Sequence, residues 1–170
     1  MRPRLFGLLA EPRPVTLVVA PAGYGKTALV ESWLQTLDLP RAWLTLEQRH
    51  RELARFATDL ATALRPLLPA GAAPLLQEQM AAPAPLDGLL ARLHTLRRPG
   101  ILVLDDCHLL EHSAPQAFIS RIAQQPPRNL RLVLLTRCDP PLARTSLRAH
   151  GLLTEVRTNA LRFTAAETAA

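Results

Sequence analysis

The segment Val15 to Thr27, VTLVVAPAGYGKT, constrains this chain more than any other. Apolar, mostly β-branched residues run straight into Gly23, Gly25, Lys26 and Thr27, and an amphipathic stretch from Ala28 to Leu37 follows at once. Strand, glycine-rich turn, lysine, hydroxyl and helix is the order that a phosphate cradle requires. The two glycines let backbone N–H groups turn inward, and the helix behind them adds the partial positive charge of its first turn. Lys26 is placed to span the β- and γ-phosphates of a nucleoside triphosphate, and the Thr27 hydroxyl to bind Mg²⁺. The whole cradle is Ala20, Pro21, Ala22, Gly23, Tyr24, Gly25, Lys26, Thr27 and Ala28. Ala20 stands where a glycine is usual, and Tyr24 is expected to pack rather than to serve the chemistry. A glycine turn that merely precedes a helix is the alternative.

The charge inventory supports the cradle. Of 20 basic residues 19 are arginine, and the one lysine is Lys26. A compact ammonium suits a phosphate as a point charge, where a guanidinium offers a planar fork. The net charge of +6 and pI of about 10.9 raise the question of nucleic acid. The arginines, however, are spread along the chain. The densest group, Arg49, Arg51 and Arg55 with His50, falls in one helical stretch and reads as a solvated face.

The rest of the chain reads as one α/β unit. Apolar strands are expected at 15–20, 42–46, 101–104, 130–136 and 152–157. Helices are expected at 4–10, 26–37, 52–64, 86–96, from Ser113 to about 124, and 142–149. Leu29, Val30, Trp33, Leu34 and Leu37 mark the buried side of the second helix. Leu53, Phe56, Leu60, Ala63 and Leu64 mark that of the third. Residues 66–85, rich in Pro and Ala, form a connector with one short helix at 74–80. With 48% hydrophobic but only 4% aromatic residues, the core must be mostly Leu, Val and Ala. Five strands alternating with helices predict a P-loop NTPase fold: a five-stranded, mostly parallel sheet with helices on both faces, in one domain over 1–170.

Capping boxes open helices at Ser113–Gln116 and at Thr164–Glu167. The chain ends three residues after the second, so a longer parent protein is expected. Cys107 and Cys138 form no scaffold or metal-ligand pattern, and a reduced, cytoplasmic setting is expected. No apolar run reaches the length of a membrane span. The N-terminus reads as a short helix, not a signal peptide.

A Mg²⁺ site needs a carboxylate opposite Thr27. Ile101 to Asp106, ILVLDD, supplies four apolar residues and then two acids at a strand end. Asp105 is the expected metal-shell acid, and Asp106 the residue that orients or deprotonates an attacking water. Arg137 ends the next apolar strand and is expected at the γ-phosphate; a surface pair with Asp139 is its alternative. His108 is expected in a structural hydrogen bond. His50, His94, His112 and His150 read as surface residues.

PAGYGKT, the AWLTLE segment, ILVLDDCHLL and LLTRCDPPLARTSLRAHGLLTEV…LRF together resemble the large ATP-binding LuxR-type, MalT-like transcription regulators, which are signal-transduction ATPases with numerous domains. The resemblance spans about residue 5 to 170. It implies an AAA+-like core in which Gly23, Gly25, Lys26 and Thr27 are the P-loop (Walker A), Asp105 and Asp106 the Walker B acids and Arg137 the sensor arginine. It also implies an ATP/ADP switch that self-associates in the ATP state and resets by slow hydrolysis. Two departures stand out: Glu47-Gln48-Arg49-His50 replaces a more acidic segment, and Ala160 replaces a polar residue before Leu161. The family's C-terminal lid, sensor and DNA-binding domains are not among these residues. No direct DNA contact and no membrane contact are expected from this segment. A non-hydrolysing, nucleotide-stabilised interaction module, an unrelated P-loop ATPase or kinase, and a basic nucleic-acid-binding module are the other readings.

Overall fold

The short apolar runs become strands, and all five lie side by side in one parallel sheet. The computed structural model of the chain describes residues 3–69 and 85–162. The strands are β1 Val15–Val19, β2 Arg41–Thr45, β3 Gly100–Asp105, β4 Leu130–Thr136 and β5 Leu153–Arg157. Their order is β2-β3-β4-β1-β5, and every neighbouring pair is parallel. The helices are α1 Pro3–Leu9, α2 Lys26–Leu34, α3 Leu53–Ala63, α4 Pro85–His94, α5 Ala114–Gln124, α6 Arg144–Ala149 and α7 Thr158–Leu161. This is the P-loop NTPase architecture expected from the sequence. The expected helix at 74–80 and the capping box at Thr164–Glu167 lie outside the described residues.

The strands read as continuous apolar runs because both faces of the sheet are covered. Along β1, Val15, Leu17 and Val19 join one core while Val18 joins the other. Along β4, Leu130, Leu132 and Leu134 face the first, Val133 and Leu135 the second. The first core receives α3, α4 and α5 through Phe56, Leu60, Leu89, Leu93, Phe118 and Ile122. The second receives α1, α2 and α7 through Leu5, Leu9, Val30, Trp33 and Leu161. Trp33 is a core residue, as its spacing predicts.

Four local expectations are corrected. The buried stripe of α3 is Phe56, Ala57, Leu60 and Ala61, continuing to Leu64. Leu53, its first residue, is 39% exposed and lies outside that stripe, and Ala63 is only half-buried. The reciprocal capping box at Ser113 does not form. The Ser113 hydroxyl instead donates to the Leu110 carbonyl, which the preceding 3₁₀ turn, Cys107–Leu110, presents within reach. The α2 helix stops at Leu34 rather than Leu37, and α6 begins at Arg144 rather than Leu142.

The fourth correction is His50, which is 1% exposed rather than on the surface. Its Nδ1 accepts the Glu47 N–H at 2.8 Å and its Nε2 lies 2.9 Å from Asp59 Oδ2. The ring thus caps its own 3₁₀ turn, Gln48–Arg51, and ties it to α3. The basic group around it is not purely solvated either, because Arg49 pairs with Glu47 and Asp59.

Arg131 interrupts the second core. It donates to Thr16 Oγ1 at 3.0 Å and to the Leu9 carbonyl, and its guanidinium stacks 4.9 Å from the Trp33 ring centroid. One side chain therefore fixes the ends of α1, β1 and α2 together. Partial burial lowers its pKa from the ordinary arginine value, with Glu11 pulling the other way.

The contact that closes the first core is Phe56 of α3 against Phe118 of α5, edge to face with centroids 6.0 Å apart at 73°. Phe56→Ala is expected to destabilise the chain by about 3–5 kcal/mol, the usual range for emptying a buried aromatic site. Urea unfolding measures this as a lower midpoint at unchanged slope. A change within about 0.5 kcal/mol, the surface-residue range, would mean that α3 and α5 do not meet there.

Candidate functional site

Parallel strands place all their carboxyl ends on one edge, and that edge carries the chemistry. The loop after β1 enters α2 through Gly23 and Gly25, with φ of 82° and 72°. These are left-handed conformations that a side chain disfavours. No atom lies within 4 Å of where a Cβ would stand on either glycine, so the requirement is conformational rather than steric.

Lys26 opens α2 and is buried. Its Nζ donates to the carbonyls of Ala20 at 2.9 Å and Pro21 at 3.1 Å. It makes no ion pair among the described residues. Burial pushes its pKa below the ordinary lysine value, Asp105 and Asp106 pull it back up, and Arg137 lowers it further. A buried ammonium held by its own loop is a ready cationic point for an anion.

Next to it, Thr27 Oγ1 donates to Asp105 Oδ2 at 2.8 Å. Asp105 is buried at the end of β3, and its other oxygen accepts the Asp106 N–H at 2.8 Å. Hydroxyl and carboxylate form a pair of hard oxygen donors of the type Mg²⁺ takes. Among the described residues no group of three or more His, Cys, Asp or Glu could hold a metal.

Asp106 adopts a left-handed backbone, φ 57° and ψ 39°, which aspartate tolerates better than bulkier residues. Its Oδ1 lies 3.4 Å from Arg137 Nε. The surface pair of Arg137 with Asp139 is not what forms. Asp139 is taken by Arg144 at 2.8 Å and Arg157 at 2.9 Å, which hold its carboxyl below the ordinary aspartate value against the effect of burial. Glu155 completes this network through Arg157 and Arg148. Nothing in the local sequence marks it, because its members come from β5, α6 and the loop between β4 and α6.

These parts converge on one cleft of about 370 Å³. The loop lines it with Ala22, Gly23, Gly25, Lys26, Thr27 and Ala28, and the strand ends with Asp105, Asp106 and Arg137. Ala20 and Pro21 stand behind it as partners of Lys26. Tyr24 packs against the second core. A larger depression of about 570 Å³ runs along α6. Its arginines, Arg144 and Arg148, are already paired with acids, so the smaller cleft is the better candidate.

The cysteines do not enter the cleft. The buried Cys107 thiol donates to the Leu104 carbonyl, and burial pushes its pKa well up. The exposed Cys138 thiol donates to Glu111 Oε1 at 2.9 Å, which raises its pKa. His108 departs from expectation: its Nδ1 is buried without a hydrogen-bond partner, 3.7 Å from Asp106 Oδ1.

Fold and cleft together define a P-loop nucleotide-binding core of the ATPase kind. The chain belongs to the AAA ATPase domain family, whose model matches residues 4–135. Membership implies nucleotide binding. The chain is homologous to the HTH-type transcriptional regulator MalT of Serratia proteamaculans (strain 568), with 35% identity over 174 residues. The alignment covers 96% of this chain and 19% of that regulator, so the chain spans about a fifth of its relative's length. Among solved structures, the Walker-type ATPase PABY2304 of Pyrococcus abyssi superposes with a TM-score of 0.59 at 14% identity, covering 94% of this chain and 55% of that one. The Aeropyrum pernix ORC1 protein, solved in complex with DNA, gives 0.56 at 24%, covering 91% and 42%. Both show the fold alone. Among the described residues no helix is long and apolar enough to cross a membrane.

The His108 environment makes a pH prediction. Burial lowers its pKa from the ordinary 6.5. Asp106 and Glu111 oppose this, while Arg137 and Lys26 reinforce it. Between the folded and unfolded values the unfolded chain binds more protons. Stability is therefore full above about pH 6.5 and falls as pH drops through that value towards the folded pKa. Urea midpoints from about pH 7.5 to 5.5 should decline more steeply in the wild type than in His108→Gln. Parallel declines would refute it.

Proposed function

We propose that residues 1–170 form one nucleotide-binding core and that it works as the ATP/ADP switch of a MalT-type transcription regulator. The observation that carries this reading is the meeting of Lys26, the Thr27–Asp105 pair, Asp106 and Arg137 in one cleft. They come from three places in the chain, and each matches a separate need of phosphoryl chemistry.

In this reading the loop Ala20 to Ala28 wraps the phosphates with backbone N–H groups, and Lys26 exchanges its two carbonyl partners for phosphate oxygens. Thr27 and Asp105 would hold Mg²⁺, which supplies charge neutralisation at the phosphates when bound. Asp106 orients the attacking water or accepts its proton. Arg137, half exposed, is free to turn from Asp106 to the γ-phosphate and so reports which nucleotide is present. Hydrolysis is slow and resets the switch. The lid, sensor and DNA-binding domains of the parent read that state, self-association accompanies the ATP form, and the setting is cytoplasmic. This segment itself makes no direct DNA contact.

Two substitutions test the assignment. Lys26→Ala should weaken ATP and ADP binding by about 10- to 100-fold, the weight of one charge-assisted contact, as read by calorimetric titration. Equal affinities in the two proteins would sink the P-loop assignment. Asp106→Asn should leave ATP affinity unchanged while lowering single-turnover phosphate release by about 10²- to 10⁴-fold, in a chain that carries the remaining domains. Undiminished release would remove Asp106 from the role of base.

A further inference from the structure

The amino ends of the strands lie on the edge opposite the cleft, about 20 Å away along β3. Three neighbouring loops meet there: 35–40 before β2, 95–99 before β3 and 125–129 before β4. They are tied to one another. The Ile101 N–H donates to the Pro40 carbonyl at 3.0 Å, the Gly100 N–H to the Asn129 carbonyl at 2.9 Å, and the Asn129 side chain to the Leu96 carbonyl at 2.6 Å. Pro99, Pro126 and Pro127 restrict the backbone further.

On this edge Arg97, Arg98 and Arg128 are exposed, and their side chains make no hydrogen bond or ion pair among the described residues. Arg13 and Arg41, on the same edge, are already committed, to Glu11 and to the Leu34 carbonyl. Neither of the two loops that carry the free arginines contains an acid. Asp38, in the third loop, pairs with none of them. Beside it Leu39 is 38% exposed, which only Leu53 exceeds among the buried-type large apolar side chains of the described residues. Like charges held together on tied loops repel one another, and an arriving anion relieves that repulsion.

We propose that this edge is a docking surface for an acidic segment of a partner protein, one in which carboxylates flank a large apolar side chain. The guanidiniums of Arg97, Arg98 and Arg128 take the carboxylates in forked pairs, and Leu39 receives the apolar side chain. A nucleic acid fits the edge less well. Three arginines meet few phosphates, and the loops carry no aromatic side chain on which a base could stack. The surface stands apart from the cleft, so docking does not depend on the nucleotide reading.

The test is fluorescence anisotropy of the full chain with a labelled glutamate-rich peptide that carries one central leucine. Arg97→Gln/Arg98→Gln/Arg128→Gln should weaken binding about tenfold, the combined weight of three exposed ion pairs. Leu39→Ser should weaken it about threefold. Arg51→Gln/Arg55→Gln removes two exposed arginines at the start of α3, neither paired among the described residues, and should leave the affinity unchanged. Arg97→Gln/Arg98→Gln removes the same charge as that control, and it replaces the triple variant if the latter folds poorly. No binding by the wild type, equal losses in the two double variants, or wild-type affinity in the triple variant or in Leu39→Ser would each overturn the proposal. So would a DNA duplex that binds more tightly than the peptide and is lost with the same arginines.

Discussion

The hydrogen bond from the Thr27 hydroxyl to the Asp105 carboxylate spans a strand. Thr27 follows β1 and Asp105 ends β3, and β4 lies between them. Two strand spacings separate the parents by about 10 Å. β4 ends at Thr136, level with Val19 of β1, and the Thr136 hydroxyl donates to the Cys138 carbonyl beyond the strand. The strand order thus makes the cleft. An order with β1 beside β3 would bring loop and acid together but leave no strand between them to deliver Arg137. With β4 in the middle, the P-loop, the acids and the arginine face one volume from three consecutive strand ends.

That order explains which expectations were readable in the chain. Strands covered on both faces are continuous apolar runs, and β1, β3 and β4 could be located from that signal alone. The helices between them were marked by helical spacing, and parallel crossovers then left few topologies. The residues that escaped reading are those whose partners are far away in sequence. Arg131 carries no signal in its own strand, because its partners Leu9, Thr16 and Trp33 all lie in the first part of the chain. His50 looked superficial, because the acid that buries it sits in the next helix. Ser113 carried the right residues for a capping box, but a competing carbonyl from the preceding turn took its hydroxyl. Local chemistry proposed each partner, and tertiary geometry chose another.

The candidate site was more legible than its surroundings for a physical reason. Phosphate chemistry demands particular residue types at strand ends, and strand ends are what an apolar run followed by a polar residue marks. Asp105 and Arg137 were therefore identifiable one by one. The acid partner of Arg137 was not, since Asp139 was the only acid weighed for it and Asp106 is the one it meets. The answer lies in competition: Arg144 and Arg157 saturate Asp139, and Arg137 is left to Asp106. Exposed ion pairs of this kind contribute little stability. Their consequence is directional, since they decide which arginine remains available at the cleft.

Lys26 shows why the same position could not be served by the residue this chain otherwise prefers. Its ammonium sits between two carbonyls of its own loop, buried, and with no acid paired to it among the described residues. Three rotatable donors on one compact nitrogen can give up carbonyls for phosphate oxygens one at a time. A guanidinium has its donors fixed in a plane and would need the loop to rearrange around it. Burial already lowers the proton affinity of Lys26, and an arriving polyanion would raise it again. Charge development at the ligand and protonation of the lysine therefore reinforce each other. Among the described residues the loop holds a cation met by two carbonyls rather than by a paired acid.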